Sequence, residues 1–277
     1  MRTHIYSKLI LIVLCMSFHA INAQDTLNNN NTEVYRLKPA IDIPLIAAAG
    51  GWSYFALSKI YKKDSSSVED ITSLNKSDIN GFDRWAADVY HPEAEAVSDK
   101  IFFGAMGFPL VLLFDKEIRK DALKIAVLYT EALSITGSLY TSSTYFNRYR
   151  PSTYNDGLTI DQKRSGNQRN SFFAGHVALV ATSTFLTAKV YADYHPHSNF
   201  RWVLYGVAIG ATGATGYLRH RAGKHFPSDI IVGSAIGVLS GILVPQFHKT
   251  KRQQDKRVHI FPFTGESHGI AAIYKFR

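Results

Sequence analysis

The stretch Arg219–Asp229, RHRAGKHFPSD, concentrates residue types suited to gripping and transferring an anionic group. It lies between two uncharged apolar runs, Trp202–Leu218 and Ile230–Phe247, which predicts two helices meeting at a polar end. Phe226-Pro227-Ser228 reads as a helix start, because the first helical turn does not need the N–H that proline lacks. His225 then sits just ahead of the helix, with Asp229 four residues later. At that spacing a carboxylate can reach one ring nitrogen, fix the tautomer and leave the other nitrogen free to attack. Arg219, at the end of the preceding helix, can point a permanently charged planar fork into the same space. A steadied imidazole beside a fixed guanidinium is a pairing for phosphate chemistry. The competing reading is a basic loop whose His–Asp contact only caps a helix.

Two upstream stretches favour chemistry. Arg148-Tyr149-Arg150-Pro151 follows the apolar run Ala132–Phe146, so two arginines at a helix end can face one anion before proline stops the helix. A basic cluster at a membrane interface is the plainer account of them. Ser171-Phe172-Phe173-Ala174-Gly175-His176 opens the run Val177–Ala188. Glycine and histidine at a helix start offer free backbone N–H groups to an oxyanion, together with a titratable proton donor.

Taken together and in this order, the three blocks resemble the type 2 phosphatidic acid phosphatase (PAP2) superfamily, which includes soluble bacterial acid phosphatases and vanadium haloperoxidases. Its signature is Lys, six residues, Arg-Pro; then Pro-Ser-Gly-His; then Ser-Arg, five residues, His, three residues, Asp. This chain keeps Arg150-Pro151, Gly175-His176, and Arg219, His225 and Asp229 at the family spacing, over about residues 101–248. The resemblance implies His225 as a nucleophile forming a phosphohistidine, Asp229 as its orienting partner and His176 as the acid for the leaving oxygen. It implies Arg150, Arg219 and the N–H of Gly175 around the phosphoryl oxygens, with Arg148 a further candidate for phosphate binding. It implies no cofactor and no metal, since guanidinium groups supply the positive charge. The chain departs from the pattern at Ser143, where the lysine belongs, at Phe173 and Ala174 in place of Pro-Ser, and at Leu218 in place of the serine. Arg148, Lys163, Arg164 and Arg169 are candidates to replace the lysine.

The elements that must position these residues are helical. The chain has 277 residues, enough for one catalytic core of about six helices. Residues 1–23 have the basic start, apolar centre and small-residue end of a secretory signal, with the only cysteine, Cys15, inside it. Removal of that signal leaves a chain with no thiol or disulfide chemistry. Residues 24–100 hold a polar, asparagine-rich leader, a first apolar run, Ile43–Ser58, that is kinked or only dips into a membrane, and an amphipathic helix. That helix is read from Ile79, Phe82, Trp85, Ala86, Val89 and Tyr90, with Asp83 and Arg84 on its solvated face. Residues 101–248 form the phosphatase-like core, in which Glu131 interrupts one run and the small residues of Trp202–Leu218 permit close helix approach. Residues 249–277 are a basic exit followed by a β-like tail.

The fold expected is therefore all-α, a membrane-embedded bundle with its three blocks at one end and a short β-like C-terminal tail. The uncharged runs fall short of about 20 residues and the mean hydropathy is −0.07, which keeps a soluble periplasmic version as the rival. If the first run only dips in, the site faces the periplasm and Lys116, Arg119, Lys120 and Lys124 lie inside. The net charge of +9 fits an anionic substrate or lipid surface; the clustering of basic residues at helix ends argues against nucleic acid. The expected function is hydrolysis of a phosphomonoester or pyrophosphate, of a lipid first. The alternatives are a soluble non-specific acid phosphatase, a vanadate-dependent haloperoxidase, or a non-catalytic envelope protein keeping the fold.

Overall fold

A computed structural model describes residues 33–250 in full and the strand pair Val258–Thr264 and His268–Tyr274 by backbone. The signal-like segment with Cys15, and most of the asparagine-rich leader, lie outside the described residues. Among the described residues six long helices build the bundle: α1 Pro39–Tyr61, α2 Glu93–Gly107, α3 Ala122–Ser142, α4 Gly175–Tyr194, α5 Phe200–Arg221 and α6 Pro227–His248. Their starts follow local chemistry. Pro39 occupies the first turn of α1 while Asp42 accepts the Lys38 N–H at 2.6 Å. At α6, Phe226 is extended, Pro227 leads the helix and the Asp229 carboxylate accepts the Phe226 N–H at 2.9 Å, so the expected start is found.

Contacts fix the direction of each helix. Gly50 lies beside Ser134 and Gly137 beside Ser53, so α1 and α3 run in parallel. Phe102 stacks on His176 and Met106 meets Ser183, so α2 descends alongside α4. Gly233, Gly237 and Gly241 lie on successive backbone carbonyls of α4, so α6 also descends with it. Helix α4 is the central post, packed against α2, α3, α5 and α6. Its hydroxyls at Thr182, Ser183, Thr184 and Thr187 bond back to carbonyls four residues earlier, so a polar sequence is buried without orphaned groups. Segments 62–92, 143–174 and 222–226 consequently gather at one end of the bundle. An apolar cluster including Ile118, Leu128, Leu186, Val190 and Val244 fills the other.

Several expectations are corrected. The first apolar run belongs to α1, a helix of 23 residues with Pro44 inside it, long and apolar enough to cross a membrane rather than only dip. The run at 101–114 is the lower part of a helical stretch that begins at Glu93, and Glu131 is a buried residue inside α3 rather than a break. Among the described residues four helical stretches, Pro39–Tyr61, Glu93–Phe114, Ala122–Tyr145 and Pro227–His248, are long and apolar enough to cross a membrane. Their outer faces expose large side chains such as Phe55, Phe103, Phe114, Ile231 and Phe247. This supports membrane localisation. No amphipathic helix forms over 79–90. Asn80 and Asp83 bond each other's side chains and backbone, leaving two short 3₁₀ turns, Lys76–Asp78 and Arg84–Ala86, with Asp88 at φ +71° beyond them. The tail pairs as an antiparallel hairpin, Val258 opposite Tyr274 and Thr264 opposite His268.

Close approach expected of the α5 glycines is made there by Gly216, where an added Cβ would lie 2.7 Å from Ile230 of α6, and on α6 by three glycines against α4. A Cβ at Gly206, Gly210 or Gly213 would meet nothing within 4 Å, whereas one at Gly233 or Gly241 would lie 2.6 or 2.7 Å from the Ala174 or Thr182 carbonyl, and one at Gly237 closer still to that of Ala178. Gly237→Ala is expected to lower stability by about 1–3 kcal/mol through forced separation of α4 and α6. Gly210→Ala is expected to be neutral or stabilising. Thermal unfolding of the two variants beside wild type checks the contrast.

Candidate functional site

Each site side chain is placed by a helix end or by a segment bound to one. The extended backbone of Phe226 turns His225 into the bundle, where it is buried. Its Nδ1 lies 2.5 Å from the backbone carbonyl of Ser171. A carbonyl can only accept, so Nδ1 carries the proton and Nε2 keeps its lone pair. This corrects the expected contact: Ser171, not Asp229, holds the ring. The four-residue rule applies within a helix, and His225 stands before it. Asp229 acts one step removed, accepting from the Ser171 hydroxyl at 2.7 Å and from the Phe226 N–H. Burial first, and then the charges of Arg150 and Arg219, hold the His225 pKa well below its ordinary value, so the ring is neutral.

Arg150 leaves the segment after α3 in extended conformation and is almost fully buried, with one terminal nitrogen 3.1 Å from Asn167 Oδ1 and its Nε without a partner. Arg219, in the last turn of α5, donates to Asp99 Oδ1 at 2.7 Å and lies 3.8 Å from Glu95 Oε1; its Nε is also unsatisfied. His176, on the first turn of α4, stands 3.4 Å from the same Asp99 oxygen. Burial and then Arg219, Arg150 and Lys224 push its pKa down to about 3, so the ring is neutral at pH 7. No side chain caps α4, which leaves its first N–H groups open to an anion. A side chain at Gly175 would overlap the Tyr140 ring, so glycine alone fits there.

The structure thus brings Arg150, Arg219, Gly175, His176 and His225 to one charged end. Arg148 is turned elsewhere. Its guanidinium bonds Asp229 and Ser228 on one nitrogen and Asp83 at 2.6 Å on the other, and its carbon lies over the Phe226 ring, 4.6 Å from the centroid. Asp83 is fully buried, contrary to its expected solvated face, and also accepts the Ser228 N–H at 3.0 Å, capping α6. Of the other candidates for the missing lysine, Arg164 and Arg169 bond carbonyls of Ser66 and Asp64. Ser143 itself bonds the Tyr140 carbonyl at 2.6 Å.

A cation that the sequence did not single out is Lys224, beside the nucleophile candidate. It lies 2.8 Å from Glu95 Oε1, the oxygen that also faces Arg219. Burial and the Arg150 charge lower its pKa, a sign that positive charge is crowded here. Glu95 and Asp99, one turn apart on α2, are the counter-charges. Only the adjacency of Lys224 to His225 in sequence could have pointed to it; nothing local pointed to Asp83, Glu95 or Asp99.

The profile of the PAP2 superfamily matches residues 104–253. The chain belongs to that superfamily. A lipid A 4'-phosphatase of Porphyromonas gingivalis is 28% identical over 141 residues, 49% of this chain and 56% of that protein, so the chain spans about half the length of this curated relative. The crystal structure of Aquifex aeolicus LpxE aligns with a TM-score of 0.40 at 24% identity, covering 59% of this chain and 92% of its own. That of a transmembrane PAP2 type phosphatidylglycerolphosphate phosphatase from Bacillus subtilis aligns with a TM-score of 0.44 at 17% identity, covering 76% and 98%.

Asp83→Ala removes both the α6 cap and a partner of Arg148. We expect a loss of about 3 kcal/mol, because Arg148 keeps its charge in a largely buried place. Asp83→Asn, which keeps the cap acceptor, is expected to lose less. Thermal unfolding in detergent measures both.

Proposed function

We propose that this PAP2 protein hydrolyses a phosphomonoester or pyrophosphate of a lipid through a phosphohistidine. The observation that carries the reading is His225, its Nδ1 proton held by the Ser171 carbonyl and its Nε2 lone pair free beside Arg150 and Arg219. In the first step Nε2 attacks phosphorus, the P–O bond to the leaving group breaks, and His176, protonated once the phosphoryl group is bound, gives that oxygen a proton. In the second, His176 takes a proton from water, whose oxygen displaces His225 and releases inorganic phosphate. Arg150, Arg219 and the open N–H groups of α4 hold the phosphoryl oxygens as charge develops. Lys224 takes the place of the lysine that Ser143 lacks, and Asp229 positions the ring through Ser171. These side chains supply the positive charge that the reaction needs, and no step calls on a metal.

The lipid preference rests on the apolar outer faces of the bundle, and the lipid A phosphatase relative makes a phosphorylated glycolipid the first substrate to try. A site facing the periplasm is favoured by Lys116, Arg119, Lys120 and Lys124, which sit at the opposite end. With α1 a full crossing, that orientation starts Pro39 from the cytoplasmic side. A translocated N-terminus, as a cleaved signal would give, puts the site inside instead.

Phosphate release is to be measured on phosphatidate, phosphatidylglycerol phosphate, isoprenyl pyrophosphate, lipid A and a soluble ester, with the soluble ester also offered to intact and lysed cells. His225→Ala is expected to abolish release and Lys224→Ala to raise KM more than it lowers kcat. Unchanged release in His225→Ala overturns the mechanism, and latency in intact cells overturns the orientation.

The empty-site pKa of His176, about 3, also makes a prediction. A bound phosphoryl group cancels the field of Arg219, Arg150 and Lys224, so the pKa rises and the ring takes up a proton. Calorimetry with inorganic phosphate near pH 6.5, in buffers of different ionisation enthalpy, should show proton uptake that His176→Ala loses, after the proton balance of phosphate itself is subtracted.

A further inference from the structure

At the end of the bundle remote from His225, three ionisable side chains converge from three helices. They are Asp42 in the first turn of α1, Glu131 inside α3 and His248 at the last residue of α6, each more than nine-tenths buried. His248 Nε2 lies 3.1 Å from Asp42 Oδ1 and 3.5 Å from Glu131 Oε2, and the three donor atoms lie within 4.8 Å of one another. Along α6 this is roughly 28 Å from Asp229, at 1.5 Å per residue, so it is no part of the phosphate site.

The hydrogen bonds specify what the cluster needs. His248 Nδ1 lies 2.8 Å from the Val244 carbonyl, which can only accept, so Nδ1 carries the proton. In the neutral ring Nε2 is then a lone pair, aimed at two carboxylates that are lone pairs too. Glu131 Oε2 is buried and has no hydrogen-bond partner. The nearest ammonium, Lys38, donates to the Phe247 carbonyl at 3.3 Å, and the other Asp42 oxygen is taken by the Lys38 N–H. With the ring neutral and both acids ionised, three acceptors face one another, and a proton or a cation at their centre would satisfy them.

We propose that Asp42, Glu131 and His248 form a structural site for a divalent transition-metal ion, Zn²⁺ first. A tetrahedral zinc centre with bonds of about 2.0–2.1 Å spaces its ligand atoms about 3.3 Å apart, close to the two separations from Nε2. One nitrogen and two oxygens leave the fourth position to water. The outer shell is of the kind that steadies such ligands: the histidine donates its other N–H to a backbone carbonyl, and the aspartate accepts a backbone N–H. The ion would tie the first, third and last long helices together. It does so where the chain entering and leaving the core already pairs, Arg36 N–H to the His248 carbonyl at 2.8 Å and Thr250 N–H to the Val34 carbonyl at 3.0 Å.

The test uses the tag-free full chain in detergent, stripped with chelator and titrated with Zn²⁺ and with Co²⁺. Expected are one bound equivalent per chain, a visible absorption of four-coordinate Co²⁺, and an unfolding temperature that rises with Zn²⁺ and falls again on chelation. Glu131→Gln, which keeps size and helix content, is expected to lose the equivalent and the temperature response together, and His248→Ala should do the same. Wild type that binds no stoichiometric ion and unfolds at one temperature with chelator and with Zn²⁺ overturns the proposal and leaves an imidazolium ion pair. An equivalent that survives in both variants overturns it too, by placing the ion elsewhere.

Discussion

The charged end of the bundle depends on one buried carboxylate. Asp229 accepts from the Phe226 N–H, the Ser171 hydroxyl and the Arg148 guanidinium, so a single side chain joins the start of α6, the segment ahead of α4 and the segment after α3. A carboxylate so surrounded exchanges its hydration for charge-assisted bonds, and leaving any of them unmade is costly in a buried place. The reach of this joint exceeds its contacts. Fixing Ser171 fixes its carbonyl, that carbonyl fixes the proton on His225, and the free lone pair on the opposite side of the ring follows.

Crowding positive charge is the second constraint. Arg150, Arg219 and Lys224 act together on His176, which burial and those charges keep neutral. Without counter-charge such an arrangement would repel itself. Glu95 and Asp99 supply that charge from α2, and their side chains are 41% exposed where Arg219 is 4%. A partly solvated carboxylate is more easily released than a buried one, so these acids hold the cations together without competing as strongly for an incoming anion. The missing motif lysine therefore need not mean a missing charge: position 143 is occupied by a hydroxyl bonded to its own helix, and Lys224 brings an ammonium in from the other side of the site.

How much of this was legible in the sequence follows from the range of each interaction. The start of α6 was readable because Phe226, Pro227 and Asp229 settle it among themselves. The gathering of Arg150, Gly175, His176, Arg219 and His225 at helix ends was readable because apolar runs alternate with the blocks. A helical spacing sets Asp229 against His225, but the extended backbone of Phe226 lies between them and breaks that spacing. Asp83 was assigned to solvent by periodicity, yet its partners Arg148 and Ser228 are 65 and 145 residues away. Charge was also a poor guide to helix limits: Glu131 and the acidic start of α2 looked like interruptions because their partners come from other helices. The glycines of α5 and α6 look equally suited to close packing in sequence, and only the register against α4 separates them.

That register sets the polarity of the whole bundle. Helices α4 and α6 descend side by side, so both present N-terminal ends, with their unpaired N–H groups and positive partial charge, to the end where Arg150, Arg219 and Lys224 also gather. The opposite end of α6 carries carbonyls and negative partial charge, and there His248 meets Asp42 and Glu131. An anion is favoured at one end of α6 and a cation at the other by the direction of the same helix. Glycine at 233, 237 and 241 holds that helix against α4, and so fixes the relative height of His225 and His176 within the site. Packing in the middle of the bundle thereby governs the chemistry at its end.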